Sequence, residues 1–213
     1  MASAERAGVN GDAAFYTARA ALREGLFGNA EEARQQATSA LGLSTRQFVQ
    51  CPAAWALALA GNSGRAQALA DDLGKRYPEN TVFHFVCLPT LQAQLALNRN
   101  DASKAIEALQ AAAPTELGIA DLFPPFLRGK AYLATHEGNE AVTEFQKILN
   151  HRGIVLNSPI GALARLQIGR ALAMQGDTAK AKAAYRDFLT LWKDADSDIP
   201  ILIAAKSEYA RLH

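Results

Sequence analysis

Apolar positions recur along this chain at intervals of three and four, and the runs they form are broken at regular places by one short device. Phe15, Ala18, Leu22 and Leu26 share one helical face, and Gly28-Asn29 then stops the run. The device recurs as GNAEEA from Gly28, GNSGRA from Gly61, NDASKA from Asn100, HEGNEA from His136 and GDTAKA from Gly176, at steps of 33, 39, 36 and 40 residues. In its last copy Gly176 suits the left-handed backbone that ends one helix, and Asp177 suits the cap that opens the next. A helix hairpin repeating at roughly this period predicts an all-α chain, an α-solenoid whose stacked hairpins bury a continuous interior.

The pattern places five antiparallel hairpins at about 11–42, 44–78, 79–114, 119–150 and 159–193, in one solenoid over residues 11–213. Residues 1–10 read as a disordered, frayed lead-in, and a helix over 199–212 caps the last open face. Asp12 is the expected cap of the first helix, and Ser44 with Gln47 the capping-box candidate of the second hairpin. Pro52 interrupts the stripe Phe48, Cys51, Trp55, Leu57, so that helix either bends there or starts there. Pro89 suggests a bend in the next hairpin, and Pro124 and Pro125 suit the first turn of a helix opening at Asp121. The connector over 151–161 has an apolar centre, Ile154 to Leu156, expected to pack onto the body. No stretch alternates in the manner of a strand, so no sheet is expected.

Composition narrows the class of activity. Apolar residues make up 49% of the 213, much of it alanine, which favours close helix–helix approach. The net charge of +1 gives no case for a nucleic-acid surface. No run is apolar enough to insert in a membrane, and MASAERAGVNGD lacks a signal-peptide core, so a cytoplasmic chain or a soluble piece of something larger is expected. Cys51 and Cys87 sit in the first helices of neighbouring hairpins. They read as two small buried apolar side chains in a reducing compartment, with a disulfide as the alternative.

The residues Gly129…Tyr132…Ala141…Phe145 resemble the tetratricopeptide repeat (TPR), and Gly169…Leu172…Ala181…Tyr185 repeats the pattern. The first three hairpins keep the corner and the alanine but lack the aromatic after it. Residues 144–196 and 78–97 resemble the TPR tail of large bacterial serine/threonine protein kinases and winged-helix regulators. That resemblance implies a bacterial signalling role as a regulatory or scaffolding segment binding a protein or peptide. It does not carry the kinase, since no glycine-rich phosphate loop, HRD stretch or DFG is present. The alternatives are a free-standing adaptor in envelope assembly or secretion, and a small-molecule sensor or enzyme using the superhelix as a pocket. If the kinase is membrane-anchored, the tail is alternatively a soluble extracytoplasmic one.

Candidate chemistry is sparse. His84, His136, His151 and His213 have no metal-ligand spacing, and Asp194, Asp196 and Asp198 lack the glycine and distal glutamate of a calcium loop. No enzyme activity, catalytic residue, metal or cofactor is therefore expected. In the TPR family the first helix of each hairpin lines the groove, which implies a peptide groove of Phe48, Trp55, Gln94, Phe123, Phe126, Lys130, Leu166 and Arg170. Lys130 and Arg170 hold equivalent places 40 residues apart, and with Phe123 and Phe126 beside them they suit an acidic segment carrying an apolar anchor.

Overall fold

The computed structural model describes residues 2–118 and 122–212, with side chains from residue 11 onward. Among the described residues there is no strand. The corners join α1 (Ala2–Phe27) to α2 (Ala30–Leu43), α3 (Gln47–Leu59) to α4 (Ser63–Arg76), α5 (Leu88–Asn98) to α6 (Ala102–Gln110), and α7 (Phe123–Ala134) to α8 (Gly138–Asn150). A single turn, α9 (Arg152–Val155), precedes the pair α10 (Ile160–Met174) and α11 (Thr178–Leu191), and α12 (Pro200–Ala210) follows. The chain is an α-solenoid.

All five corners are built alike. Gly28, Gly61 and Gly176 have φ of 91°, 80° and 79°, and Asn100 and His136 enter the same left-handed region at 58° and 62°. The next amide closes the helix behind it: Asn29 donates to Glu24 O, Asn62 to Leu57 O, Asp101 to Ala96 O, Glu137 to Tyr132 O and Asp177 to Leu172 O. This is the six-to-one bond that satisfies the last carbonyls of a helix ended by a left-handed residue. The side chains of Asn62, Asp101 and Asp177 then accept from the amides of Arg65, Lys104 and Lys180, so two consecutive residues end one helix and cap the next.

Several local expectations are corrected. α1 begins at Ala2, so residues 2–10 extend the first helix instead of forming a disordered lead-in, and Asp12 lies inside it. No capping box forms at Ser44; Arg46 is the N-cap of α3 and donates its amide to Ser44 Oγ. Pro52 lies within α3, which starts a turn and a half earlier at Gln47. A π-turn, Phe83–Cys87, leads into α5 ahead of Pro89. Pro89 has no N–H to give the carbonyl of Phe85, and the Thr115 hydroxyl reaches that oxygen at 3.4 Å. In the long connector Val155 is buried, but Leu156 is 78% exposed at φ 49°, so only part of the apolar centre packs. The expected start at Asp121 lies outside the described residues; Leu122 caps α7 at φ 62°, with Pro124 and Pro125 in the first turn.

Packing within each of the two strongest repeats depends on a missing Cβ. A Cβ on Gly129 would lie 2.6 Å from the Phe145 ring, and one on Gly169 would lie 2.8 Å from the Tyr185 ring. The glycines let the helices approach until each aromatic fills the notch. Buried side chains form one continuous cluster from Ala14 to Ala205, with a separate small cluster of Leu73, Phe83 and Cys87. Between α7 and α8, Arg128 pairs with Glu116 and Glu144, and Lys147 reaches both carboxylates, so a charged network is buried with its own counterions.

The superhelix curves far enough for its ends to meet. Phe27 stacks edge-on against Trp192 with ring centroids 4.9 Å apart, and a Cβ on Gly28 would lie 3.1 Å from Pro200. The last helix therefore packs on the first hairpin as well as on α11.

A candidate recognition pocket on the inner face

The first helices of the hairpins supply the inner face, and its character changes along their length. At the end where α3 begins it holds a pocket of about 360 Å³. α3 contributes Phe48, Cys51 and Trp55, which share a face because they are spaced three and four apart. α1 contributes Phe15 and Arg19, the π-turn region Val82, Val86 and Cys87, and α7 the ring of Phe123. The Trp55 and Phe123 rings lie 5.1 Å apart, and Phe15 meets Phe48 edge-on at 5.8 Å. Phe48 remains 45% exposed at the mouth, and the neighbouring Tyr16, Val82 and Phe85 are also exposed. The guanidinium of Arg46 lies over the Phe48 ring at 5.9 Å.

The pocket wall is held by specific bonds. The Trp55 indole N–H donates to Cys87 O at 3.3 Å. Gln47 donates its amide to Asn80 Oδ1, which also accepts from the Phe83 N–H and so caps the π-turn. Cys51 and Cys87 are joined in a disulfide, their Cα atoms 6.1 Å apart. This corrects the reading of two separate thiols: the 36-residue spacing matches one hairpin, which sets the two cysteines side by side on adjacent inner helices.

Deeper along the same face the groove is filled. Leu22 and Leu26 of α1 meet Trp55 and Leu59 of α3, Gln94 of α5, and Leu127 of α7 around a residual space of about 10 Å³. That is no more than one water's worth of room. Gln94 is buried there, donating to Asn98 Oδ1 while its own Oε1 has no partner among the described residues. Phe126 and Leu166 are buried in the interhelical core, Phe126 against Phe145 at 5.9 Å.

At the far end of the face α12 brings a carboxylate to Arg170. Arg170 donates from Nε and Nη2 to the two carboxylate oxygens of Glu208, each at 2.8 Å, and Tyr185 donates its hydroxyl to Glu208 at 2.7 Å. The Tyr185 hydroxyl pKa is pushed up by burial and then by the Glu208 carboxylate. Arg170 is thus an ion-paired side chain under the capping helix and not a free groove cation. Lys130 is near enough to feel it. Burial first, and the Arg170 charge second, lower the lysine pKa to about 8. Lys130 is half-buried and makes no hydrogen bond or ion pair among the described residues.

Of the eight expected groove residues, the structure brings Phe48, Trp55 and Phe123 together around one pocket. It sets Lys130 beside Arg170 at another place and puts Gln94, Phe126 and Leu166 in the interior. Phe15, Val82, Val86 and Asn80 were missed. For Phe15 a signal existed, since it opens the stripe that Leu22 and Leu26 continue. For the others the π-turn had to be seen. Among the described residues no three His, Cys, Asp or Glu side chains are grouped to hold a metal ion, and no helix is long and apolar enough to cross a membrane. The pocket can seat apolar groups and stack against aromatic ones.

No family model and no curated protein matches the chain. Among solved structures it is similar to TTC0263, a thermophilic TPR protein of Thermus thermophilus. The superposition has a TM-score of 0.61 and covers 92% of this chain and 98% of that one, at 16% sequence identity. A likeness at that identity is one of fold, and the fold is a TPR-like α-solenoid.

Proposed function

We propose that this chain is a non-catalytic protein-recognition module whose pocket seats the apolar anchor of a partner segment with acidic flanks. The observation that carries the reading is Phe48, a large aromatic side chain 45% exposed at the mouth of an aromatic-lined pocket. Apolar pockets with rigid aromatic walls are where recognition energy concentrates. Arg46, stacked on Phe48 and making no ion pair among the described residues, supplies the charge that favours an acidic flank. The acidic preference is placed at Arg46 because the charge of Arg170 is met by Glu208.

The resemblance of residues 144–196 and 78–97 to kinase-borne TPR tails supports a finer role as a regulatory or scaffolding segment in bacterial signalling. An adaptor in envelope assembly or secretion would use the same pocket. A second reading, an apolar small-molecule sensor, is favoured by the pocket volume, which falls within the usual range for such ligands.

Selection from a random peptide display library tests the leading reading. The expected result is a consensus with one aromatic or aliphatic residue beside Asp or Glu, whose binding is lost in Phe48→Asp with helicity retained. Peptides that bind Phe48→Asp equally well would overturn it. Saturable binding of an uncharged apolar compound with no peptide enriched would favour the sensor.

A further inference from the structure

The disulfide gives the pocket a chemistry that its shape alone does not. Cys51 and Cys87 both line it, but unequally: Cys51 is half-buried and Cys87 is 1% exposed. The more open approach from the pocket is therefore at Cys51, and Cys87 is the shielded residue. Exchange depends on which sulfur can be reached as well as on which thiol leaves.

The mechanical setting is equally lopsided. Cys51 belongs to α3, whose buried residues join the main core. Cys87 ends the π-turn and packs with Leu73 and Phe83 in the separate small cluster. The disulfide is the covalent tie between the two bodies, helped by the Trp55 indole bond to Cys87 O and the Gln47–Asn80 bond. Val82 and Val86, which form that side of the pocket, belong to the tied segment.

We propose that Cys51–Cys87 is a thiol-exchange site entered through the pocket, at which a small thiol attacks Cys51 and releases Cys87, and that its oxidation state sets how firmly the pocket wall is held. The control clause rests on the pocket reading above; the exchange site does not. In the first step the incoming thiolate bonds to Cys51 Sγ as the Cys51–Cys87 bond breaks. The electron pair leaves on Cys87 Sγ, which takes a proton from water. A second small thiolate then attacks the small-thiol sulfur of the mixed disulfide, and Cys51 leaves and is protonated. Two small thiols have become one small disulfide, and the protein has gained two electrons and two protons. Reduction leaves the π-turn tied by hydrogen bonds and packing, so the wall carrying Val82 and Val86 loosens.

The test has two arms, both on the full chain. In the first, oxidised protein is exposed to glutathione under native conditions, quenched with N-ethylmaleimide and mapped by mass spectrometry. Glutathione is expected on Cys51 and maleimide on Cys87, with a bias of about tenfold or more. An even split, a bias to Cys87, or exchange no faster than global unfolding measured by hydrogen exchange would overturn the site. In the second, the uncharged dye Nile red is titrated into oxidised protein, dithiothreitol-reduced protein and the Phe48→Asp variant. The oxidised protein is expected to bind it in a Phe48-dependent way, and reduced protein with unchanged helicity about fivefold or more weakly. Equal binding in the two redox states would overturn the control clause. Binding that ignores Phe48→Asp would overturn the pocket reading and the control clause with it, leaving the exchange site decided by the adduct map.

Discussion

Arg170 and Glu208 are 38 residues apart in sequence and meet fork to fork, two nitrogen–oxygen contacts of 2.8 Å each. Through this pair the last helix is fastened to the inner face at Arg170, whose charge is met there by Glu208.

Glu208→Gln should lower stability by about 1–3 kcal/mol, because it leaves a half-buried guanidinium with a neutral partner. Burial tends to raise the Glu208 pKa, but the hydrogen bonds from Arg170 and Tyr185 and the Arg170 charge outweigh it, holding the carboxyl below its ordinary 4.5. The contribution is therefore full above the unfolded pKa and lost as pH falls through the folded one. Urea denaturation of both proteins should show their difference shrinking as the pH drops below 4.5.

Lys130→Met should stabilise the fold at neutral pH by about 1–3 kcal/mol, since it removes a desolvated charge facing Arg170. The folded protein releases the lysine proton at about 8, the unfolded chain at the ordinary 10.5. Between those values the unfolded chain holds more protons, so wild-type stability gains with rising pH and the advantage of the variant declines. Urea midpoints measured at pH 7 and pH 10 should show it.

Gly129→Ala should cost about 1–3 kcal/mol, because its methyl would collide with the Phe145 ring. Gly64→Ala, in a helix with nothing within 4 Å of the new carbon, should instead gain about 0.5–1 kcal/mol. Thermal denaturation of the two variants should move in opposite directions.

Replacing both Cys51 and Cys87 by alanine frees a 36-residue loop and should cost roughly 3–4 kcal/mol. Far-ultraviolet circular dichroism should stay helical, and hydrogen exchange should quicken first in the π-turn.

The repeat was legible because its signals are local. A left-handed corner needs glycine or asparagine at Gly28, Gly61, Asn100 and Gly176, and a close helix crossing needs the glycine opposite Phe145 or Tyr185. His136 in the same region was legible only from its spacing. Closure of the superhelix was not, because Phe27 meets Trp192 through small rotations accumulated over five hairpins, and no short window records their sum. Repeat arithmetic gave Lys130 and Arg170 equivalent places, and the Arg170 charge acts on Lys130. That Glu208 would satisfy one of them depended on where α12 docks. The pocket was half visible: Phe48 and Trp55 lie on one helical face, but the opposite wall required a π-turn that follows from Pro89 only once Thr115 is seen beneath Phe85.

The most direct measurement of where this chain recognises a partner is an isotope-filtered NMR experiment on the full chain bound to a display-selected peptide. The account predicts contacts from the peptide's apolar anchor to Phe15, Phe48, Val82 and Val86, with the Arg170–Glu208 pair unchanged. Contacts to Lys130 and Arg170 with α12 released, or to the outer helices alone, would contradict it.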